Sequence, residues 1–246
     1  MWYRYEMHLH TAPCSLCAVA TMEEMVAACR EKGYAGFVVT NHFYHGNTGI
    51  DRSLSWEAFV QAYAEDWRRG VELAKPYDID VIFGLEEVYR PGKEVLIYGL
   101  TPEEIAAAPF LREKDLPTLS AYVREKGGVL AHAHPYRIAP YIAEPDWVPD
   151  PSYLDFVEVF NANGTQNRNE LAQAYAKANG LPVTAGGDVH RTANFGLAGI
   201  AFDHRVRDGR ELVAALKAGG YKLIRNGEIA EETEETSWSD TSFSGN

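Results

Sequence analysis

Short apolar runs alternate along this chain with amphipathic stretches of helical period. The run Trp2-Tyr3-Arg4-Tyr5 leads into Met7-His8-Leu9-His10 and predicts a first strand. Thr21-Met22-Glu23-Glu24 is then a capping box that opens a helix with Met25, Val26 and Cys29 on one side, closed by Gly33. Ala35-Gly36-Phe37-Val38-Val39 is continuously apolar, the pattern of a strand buried on both faces. The alternation repeats. Trp56, Phe59, Val60, Tyr63, Trp67 and Val71 at helical spacing predict a helix over 55–75, followed by a strand over 80–84. Residues 95–98 read as a strand, 119–126 as a helix stopped by Gly127-Gly128, and 129–131 as a strand. Next come a strand over 156–160, a helix capped by Asn167 with Glu170 three residues on, and strands over 182–185 and 197–202. A last helix starts at Asp208, with Glu211 completing its cap, and leads to a strand over 221–224.

Strands alternating with helices predict parallel β/α units, and seven or so of them suffice to close a barrel. The expected fold is therefore α/β, a distorted TIM-like (βα)7 barrel in a single domain over residues 1–227. A chain of 246 residues is the right length for one such barrel. From 228 to 246 the sequence turns acidic and then Ser-rich, which predicts a solvated tail, with Trp238 and Phe243 as its aromatic residues able to dock.

With 46% hydrophobic and 24% charged residues the composition supports a large core. The net charge of −12 repels a long phosphate backbone, so duplex nucleic acid is discounted as a partner. A small anion remains open, because buried divalent cations invert the local field. The three cysteines, Cys14, Cys17 and Cys29, form an odd set in a chain with no signal-peptide pattern and no apolar run approaching the roughly 18 residues of a membrane helix. A cytoplasmic setting with no membrane contact is the expectation. Cys14-Ser15-Leu16-Cys17 has the C-x-x-C spacing but follows His10 and opens no clear helix, which favours ordinary loop thiols, then metal-proximal thiols, over a redox pair. No G-x-G-x-x-G or Walker sequence opens a helix.

In a barrel of parallel strands the chemistry stands at the strands' C-terminal ends. Those ends offer His8 and His10, Asn41 and His42, Glu86 and Glu87, His132 and His134, Asn161 and Asn163, and Asp188 and His190. His8 and His10 lie two apart and share a strand face, so their imidazoles converge either as metal ligands or as hydrogen-bonded core histidines.

Taken together these motifs resemble the PHP family, named for polymerase and histidinol phosphatase. His8-Leu9-His10-Thr11 resembles its opening motif, Thr40-Asn41-His42 the second, Gly84-Leu85-Glu86 the bridging glutamate, Ala133-His134-Pro135 the third, and Gly187-Asp188-Val189-His190 the last. The resemblance implies two or three divalent ions (zinc, manganese or iron) and hydrolysis of phosphate esters. It places His8, His10, Glu86 and Asp188 on one ion, Glu86 and His134 on a second, and His42 with His190 on a third. Glu86, Asp188 and His134 would then stand at the reacting centre.

Three departures stand out. Asn41 replaces the family's common Asp and can neither act as a base nor lend negative charge. Leu96 falls where many members place a His in the strand after the glutamate, so one ion is expected to lose a ligand. The loop after His10 holds Cys14 and Cys17 where the family usually supplies Asp, Glu or His.

Among the remaining polar residues, Glu87 points opposite Glu86 and is expected in a salt bridge, while His132 shares a face with His134 and either touches substrate or packs. His45 is expected in solvent or at the pocket rim, and His204 in a structural place. Arg137, Arg168 and Arg191 at the barrel mouth are the candidates for gripping a phosphate dianion with a guanidinium fork, or else solvated surface. Asn161 and Asn163 could bind a water or cap their loop.

The resulting reading is a metal-dependent phosphomonoesterase of a small phosphorylated substrate using a metal-activated water. The alternatives are a phosphodiesterase or nuclease on short single strands, and a non-catalytic metal-binding module. The oligomeric state is not legible.

Overall fold

A computed structural model describes residues 1–231. In chain order the elements are β1 (Tyr3–Leu9), α1 (Met22–Glu31), β2 (Gly36–Val39), α2 (Trp56–Ala74), β3 (Asp80–Arg90), β4 (Lys93–Tyr98), α3 (Pro102–Ala106), α4 (Leu116–Glu125), β5 (Val129–His132), β6 (Phe156–Asn161), α5 (Gln166–Asn179), β7 (Val183–Gly186), β8 (Ala198–Phe202), α6 (Gly209–Ala218), β9 (Lys222–Arg225) and β10 (Glu228–Ile229). One sheet runs β10-β9-β8-β1-β2-β3-β4-β5-β6-β7. It curls until the chain leaving β7 meets β1, where Leu9 bridges Val189 and His10 N–H donates to Val189 O at 2.9 Å. Strands β1 to β7 thus form a distorted TIM-like barrel. The strands β8 to β10 extend antiparallel from the first half of β1, with Tyr5 opposite Ile200.

The barrel is not wholly parallel. β4 runs antiparallel to both β3 and β5. The cause is local: Pro91-Gly92 connects β3 to β4 with no room for a helical crossover, so the chain turns back as a hairpin. β3 accordingly runs on past Gly84 to Arg90, and Glu86 sits within the strand rather than at its end. This places β4 beside the centre of the site, with Glu86 opposite Leu96.

Alternation along β2 sorts the core. Phe37 and Val39 pack in the cluster that holds Met22, Met25 and Val26, whereas Val38 joins Ile82, Leu96 and Tyr98. Each such fully buried side chain contributes roughly 1.5–3 kcal/mol. Capping boxes at Thr21 with Glu24 and at Thr101 with Glu104 start α1 and the short α3. α5 starts earlier than expected: its N-cap is Thr165, and Asn167 lies inside the first turn.

Domain limits also shift. Asn226-Gly227, both at positive φ (53° and 83°), make the tight turn that lets Glu228–Ile229 pair with β9 as β10. Residues 228 and 229 therefore belong to the sheet and not to a tail; 232–246, with Trp238 and Phe243, lie outside the described residues. Among the described residues no helix is long and apolar enough to cross a membrane.

Candidate metal centre

Three strands and the segments that leave four of the sheet's strands bring the candidate ligands together. His8 lies in β1 and His10 just past its end, both wholly buried, because parallel pairing to β2 and the bridge to Val189 close in both edges of the chain there. His42 follows β2, Glu86 projects from β3 and Glu94 from β4. His134 and Asp188, just beyond β5 and β7, adopt positive φ of 27° and 50°. Such backbone costs on the order of 1–3 kcal/mol and turns both side chains against simple strand alternation.

Glu86 occupies the middle. Its Oε1 lies 3.2 Å from His8 Nε2 and 3.0 Å from His134 Nε2, while its Oε2 lies 2.8 Å from His42 Nδ1 and 3.5 Å from His10 Nε2. Asp188 Oδ1 stands 3.4 Å from His10 Nε2 and 3.6 Å from His8 Nε2. Four overlapping groups result: His8, His10 and Asp188; His8, Glu86 and His134; His42, Glu86 and Glu94; and His10, His42 and His190.

These residues fit divalent ions. Atoms each bound at roughly 2.0–2.2 Å to one tetrahedral ion stand about 3.4 Å apart, close to the spacings seen. Glu86 Oε2, His42 Nδ1 and Asp188 Oδ1 are buried without a hydrogen-bond partner. Although His42 Nδ1 and Glu86 Oε2 are only 2.8 Å apart, they are misaligned for a hydrogen bond, as two lone pairs aimed at a shared cation would be. Nitrogen and carboxylate donors together suit zinc, manganese or iron(II).

Without metal, protons fill the same role. Burial alone would lower the His8 and His42 imidazoles, but Glu158 and Glu86 beside His8, and Glu86 beside His42, hold both well above the ordinary value. Burial and His42 push His10 down to about 3. Burial would raise Glu86 and Asp188, yet the adjacent His8 holds both well below the usual carboxylate range. Burial and Glu86 push Glu94 up to about 7. Loading cations must displace these protons, so affinity falls with acid.

Behind these residues stand two further buried carboxylates, Glu158 and Glu6. Glu158 Oε1 accepts from His8 Nδ1 at 2.9 Å, which leaves Nε2 for the cleft. Its Oε2 accepts from His134 N–H and Asn161 Nδ2, each at 2.9 Å. Glu6 Oε1 accepts the backbone N–H of His8 at 3.0 Å and of Gly187 at 2.6 Å, tying the exit of β7 to β1. A side chain at Gly187 would put a Cβ 2.5 Å from Glu6 Oε2, so only glycine permits this approach. The signal was present: Glu158 interrupts Phe156-Val157-Glu158-Val159-Phe160, and an acid inside a buried strand demands partners.

Elsewhere on the same strand a carboxylate stands close to His42 and His134. Leu96 is buried in the core, but Glu94, two residues along β4 and on the same face, reaches the centre with Oε2 3.5 Å from His134 Nε2 and Oε1 3.6 Å from His42 Nδ1.

Of the anion candidates, Arg137 reaches the centre, its Nη1 3.1 Å from Asp188 Oδ2 and 3.5 Å from His134 Nε2. Arg168 instead pairs with Asp146 at 2.6 Å, and Arg191 is exposed at the start of a short 3-10 turn. His132 is wholly buried with Nε2 3.0 Å from Tyr89 OH, a packed position rather than a cleft one. The positive φ of His134 is why the shared face expected for the two histidines fails. Glu87 forms the expected ion pair, but a buried one, with Lys114, and His45 Nδ1 joins it 2.5 Å from Glu87 Oε1. His204 contacts Asp203 at the surface. Asn161 and Asn163 bind protein, to Glu158 Oε2 and to Asp188 O.

Cys14 is buried in the core, whereas Cys17 is exposed with Sγ 3.1 Å from His190 Nε2. Burial would raise the Cys17 thiol, but His190 and His42 bring it down to about 6. A Cys17→Ser variant is expected to bind the last equivalent of zinc about tenfold more weakly than the parent, on the scale of one lost contact to a charged group. Equal affinities in a competition titration would exclude Cys17 as a ligand.

A family model of the PHP domain matches residues 6–185, and a model described as PHP-associated matches residues 166–221. No curated protein matches the chain. A two-domain protein from Bacteroides vulgatus ATCC 8482, containing a predicted PHP-like metal-dependent phosphoesterase, is similar in structure with a TM-score of 0.69 at 14% identity, over 93% of this chain and 66% of that one. The chain thus spans about two thirds of that protein's length. A protein from Bifidobacterium adolescentis ATCC 15703 described as a metal-dependent phosphoesterase gives a TM-score of 0.54 at 14% identity, over 87% of this chain and 95% of that one. An amidohydrolase from Chromobacterium violaceum, with bound sulfate and no metal, gives 0.52 at 15% identity, over 87% of this chain and 96% of that one. These likenesses agree with the barrel, and the match over 6–185 takes in the first four ligand motifs in their order: this chain belongs to the PHP domain family.

Proposed function

We propose that this protein is a metal-dependent phosphomonoesterase of small phosphate esters. The observation that carries the reading is a carboxylate, Glu86, shared between imidazoles on both sides, with the Arg137 guanidinium beside Asp188 at the same centre. Bound divalent ions would polarise the phosphate oxygens and bring a water towards neutral pKa, which removes the need for a Ser or Cys nucleophile. The chain's own residues do the rest. His8, His10, His134, Glu86, Glu94 and Asp188 hold that chemistry in place, and Arg137 binds and orients the phosphate through charge-assisted hydrogen bonds. Glu94 favours this catalytic reading over a non-catalytic module, because it replaces the ligand absent at Leu96. Zinc or manganese suits the donor set, and the free thiols Cys14, Cys17 and Cys29 suit a reducing, cytoplasmic setting.

Charge argues for a small substrate. At −12 overall, the protein attracts an anion only near its cations and Arg137, within a screening length of about 8 Å at physiological salt. With Arg168 paired to Asp146, Arg137 is the principal phosphate contact. Turnover of a chromogenic phosphomonoester and of a labelled short oligonucleotide by zinc- or manganese-loaded protein tests the reading. Arg137→Ala is expected to lower kcat/KM about tenfold or more, the loss of one charge-assisted contact worth roughly 1.5–3 kcal/mol. Faster cleavage of the oligonucleotide than of any monoester, or an unchanged kcat/KM in the variant, would overturn it.

A further inference from the structure

Asn41 lies behind the metal centre, wholly enclosed with Thr11 and Ser15. One fixed donor sets its amide: Thr11 N–H stands 2.7 Å from Asn41 Oδ1, so Oδ1 accepts and Nδ2 donates. Ser15 Oγ is 2.8 Å from the same Oδ1, and its single hydrogen must go there. The Ser15 oxygen is left to accept, from His42 N–H at 3.0 Å and from His10 Nδ1 at 3.2 Å. His10 therefore carries its proton on Nδ1. Its Nε2 is bare towards Glu86 and Asp188. On the other side of the amide, Nδ2 donates to Thr11 Oγ1 at 2.8 Å and to Asp66 Oδ2 at 3.3 Å. Thr11 Oγ1 passes its own hydrogen to Asp66, which projects from α2.

We propose that Asn41 and Asp66 are a complementary amide and carboxylate pair of positioning residues that, through Thr11 and Ser15, hold His10 in the Nδ1–H form with Nε2 free for metal. The inference rests on the metal-dependent reading of the site. It has a consequence opposite to what the family motif suggests. Asn41→Asp, which restores the residue common in the family, sets two carboxylates side by side with only the single Thr11 hydroxyl hydrogen between them. Asn41→Asp with Asp66→Asn exchanges the roles: Asn at 66 donates to Asp at 41 and to Thr11 Oγ1, Thr11 donates to Asp at 41, and Ser15 still donates to position 41. Polarity reverses only between positions 66 and 41, and Ser15 still accepts from His10 Nδ1–H.

The test uses the full chain stripped of metal and titrated with zinc against a chromogenic chelator, alongside the ¹⁵N shifts of the His10 ring. Asn41→Asp is expected to weaken zinc binding about 10- to 100-fold, the usual cost of disturbing a group behind a ligand, and the double exchange to recover most of that loss. Ser15→Ala should weaken the Nδ1–H signature of His10 while Ser15→Thr keeps it, and this comparison decides the matter if Asn41→Asp fails to fold. Parent-like zinc affinity in Asn41→Asp, no recovery in the double exchange, or an Nε2–H signature in the parent each overturns the proposal. A parent that binds zinc with the Nδ1–H signature and yet hydrolyses no phosphate ester would sink the proposed function and leave this inference standing.

Discussion

Glu86→Ala is expected to purify with markedly less metal than the parent and with activity reduced to background. Among the described residues Glu86 is the one carboxylate within 3.5 Å of His8, His10, His42 and His134 together, so each oxygen serves a different side of the centre. Neighbouring cations repel, and a bridging negative charge offsets that repulsion. Removing it should weaken binding by more than the roughly 10- to 100-fold that changes behind a ligand cost. Metal-to-protein ratio by elemental analysis is the readout. Undiminished metal content in Glu86→Ala would mean that the carboxylate is not shared.

Glu158→Gln should damage both metal affinity and stability although it touches no proposed ion. Its two oxygens accept from His8 Nδ1, His134 N–H and Asn161 Nδ2 in a fully buried place. Glutamine has one oxygen to serve three donors, and its amide brings two more hydrogens against them. A Cβ at Gly186 would lie 2.5 Å from Glu158 Oε1, so the surroundings leave little space to relax. One unsatisfied buried group costs about 1–3 kcal/mol, which for a chain of this size lowers Tm by roughly 2–10 °C. Zinc affinity should fall about 10- to 100-fold, because His8 loses the partner that aims Nε2. A lower Tm with parent-like zinc affinity would assign Glu158 to stability alone.

How far the site was legible depends on which interaction places each residue. His8, His10, His42, Glu86, His134, Asp188 and His190 could be read because each ligand follows or lies in an apolar run, and local patterning is enough to locate such positions. Glu94 could not be read by aligning Leu96 to a family position: in the β3–β4 hairpin Leu96 stands opposite Glu86 and Glu94 opposite Val88, and only the packed site shows the longer Glu94 side chain reaching His42 and His134. Arg168 and Arg191 could not be separated from Arg137 by type or charge. Asp146 lies 22 residues before Arg168, and only the packed loops bring the two together. His132 takes the packed of its two expected places, and the face it was expected to share with His134 is lost because period-2 alternation holds inside a strand and ends where the chain takes positive φ.

By itself the sequence determined the succession of strands and helices, most of the caps, and the identity of the residues able to bind metal, because these follow from periodicity, cap chemistry and side-chain type over a few residues. Tertiary structure alone decided that β4 reverses, that Glu94 enters the site, that Glu158 and Glu6 stand behind the histidines, and that Asn41 answers to Asp66 across 25 residues of chain. Each of those depends on groups distant in sequence meeting in a buried place, where an unpaired charge or donor is too costly to keep and the fold must find it a partner.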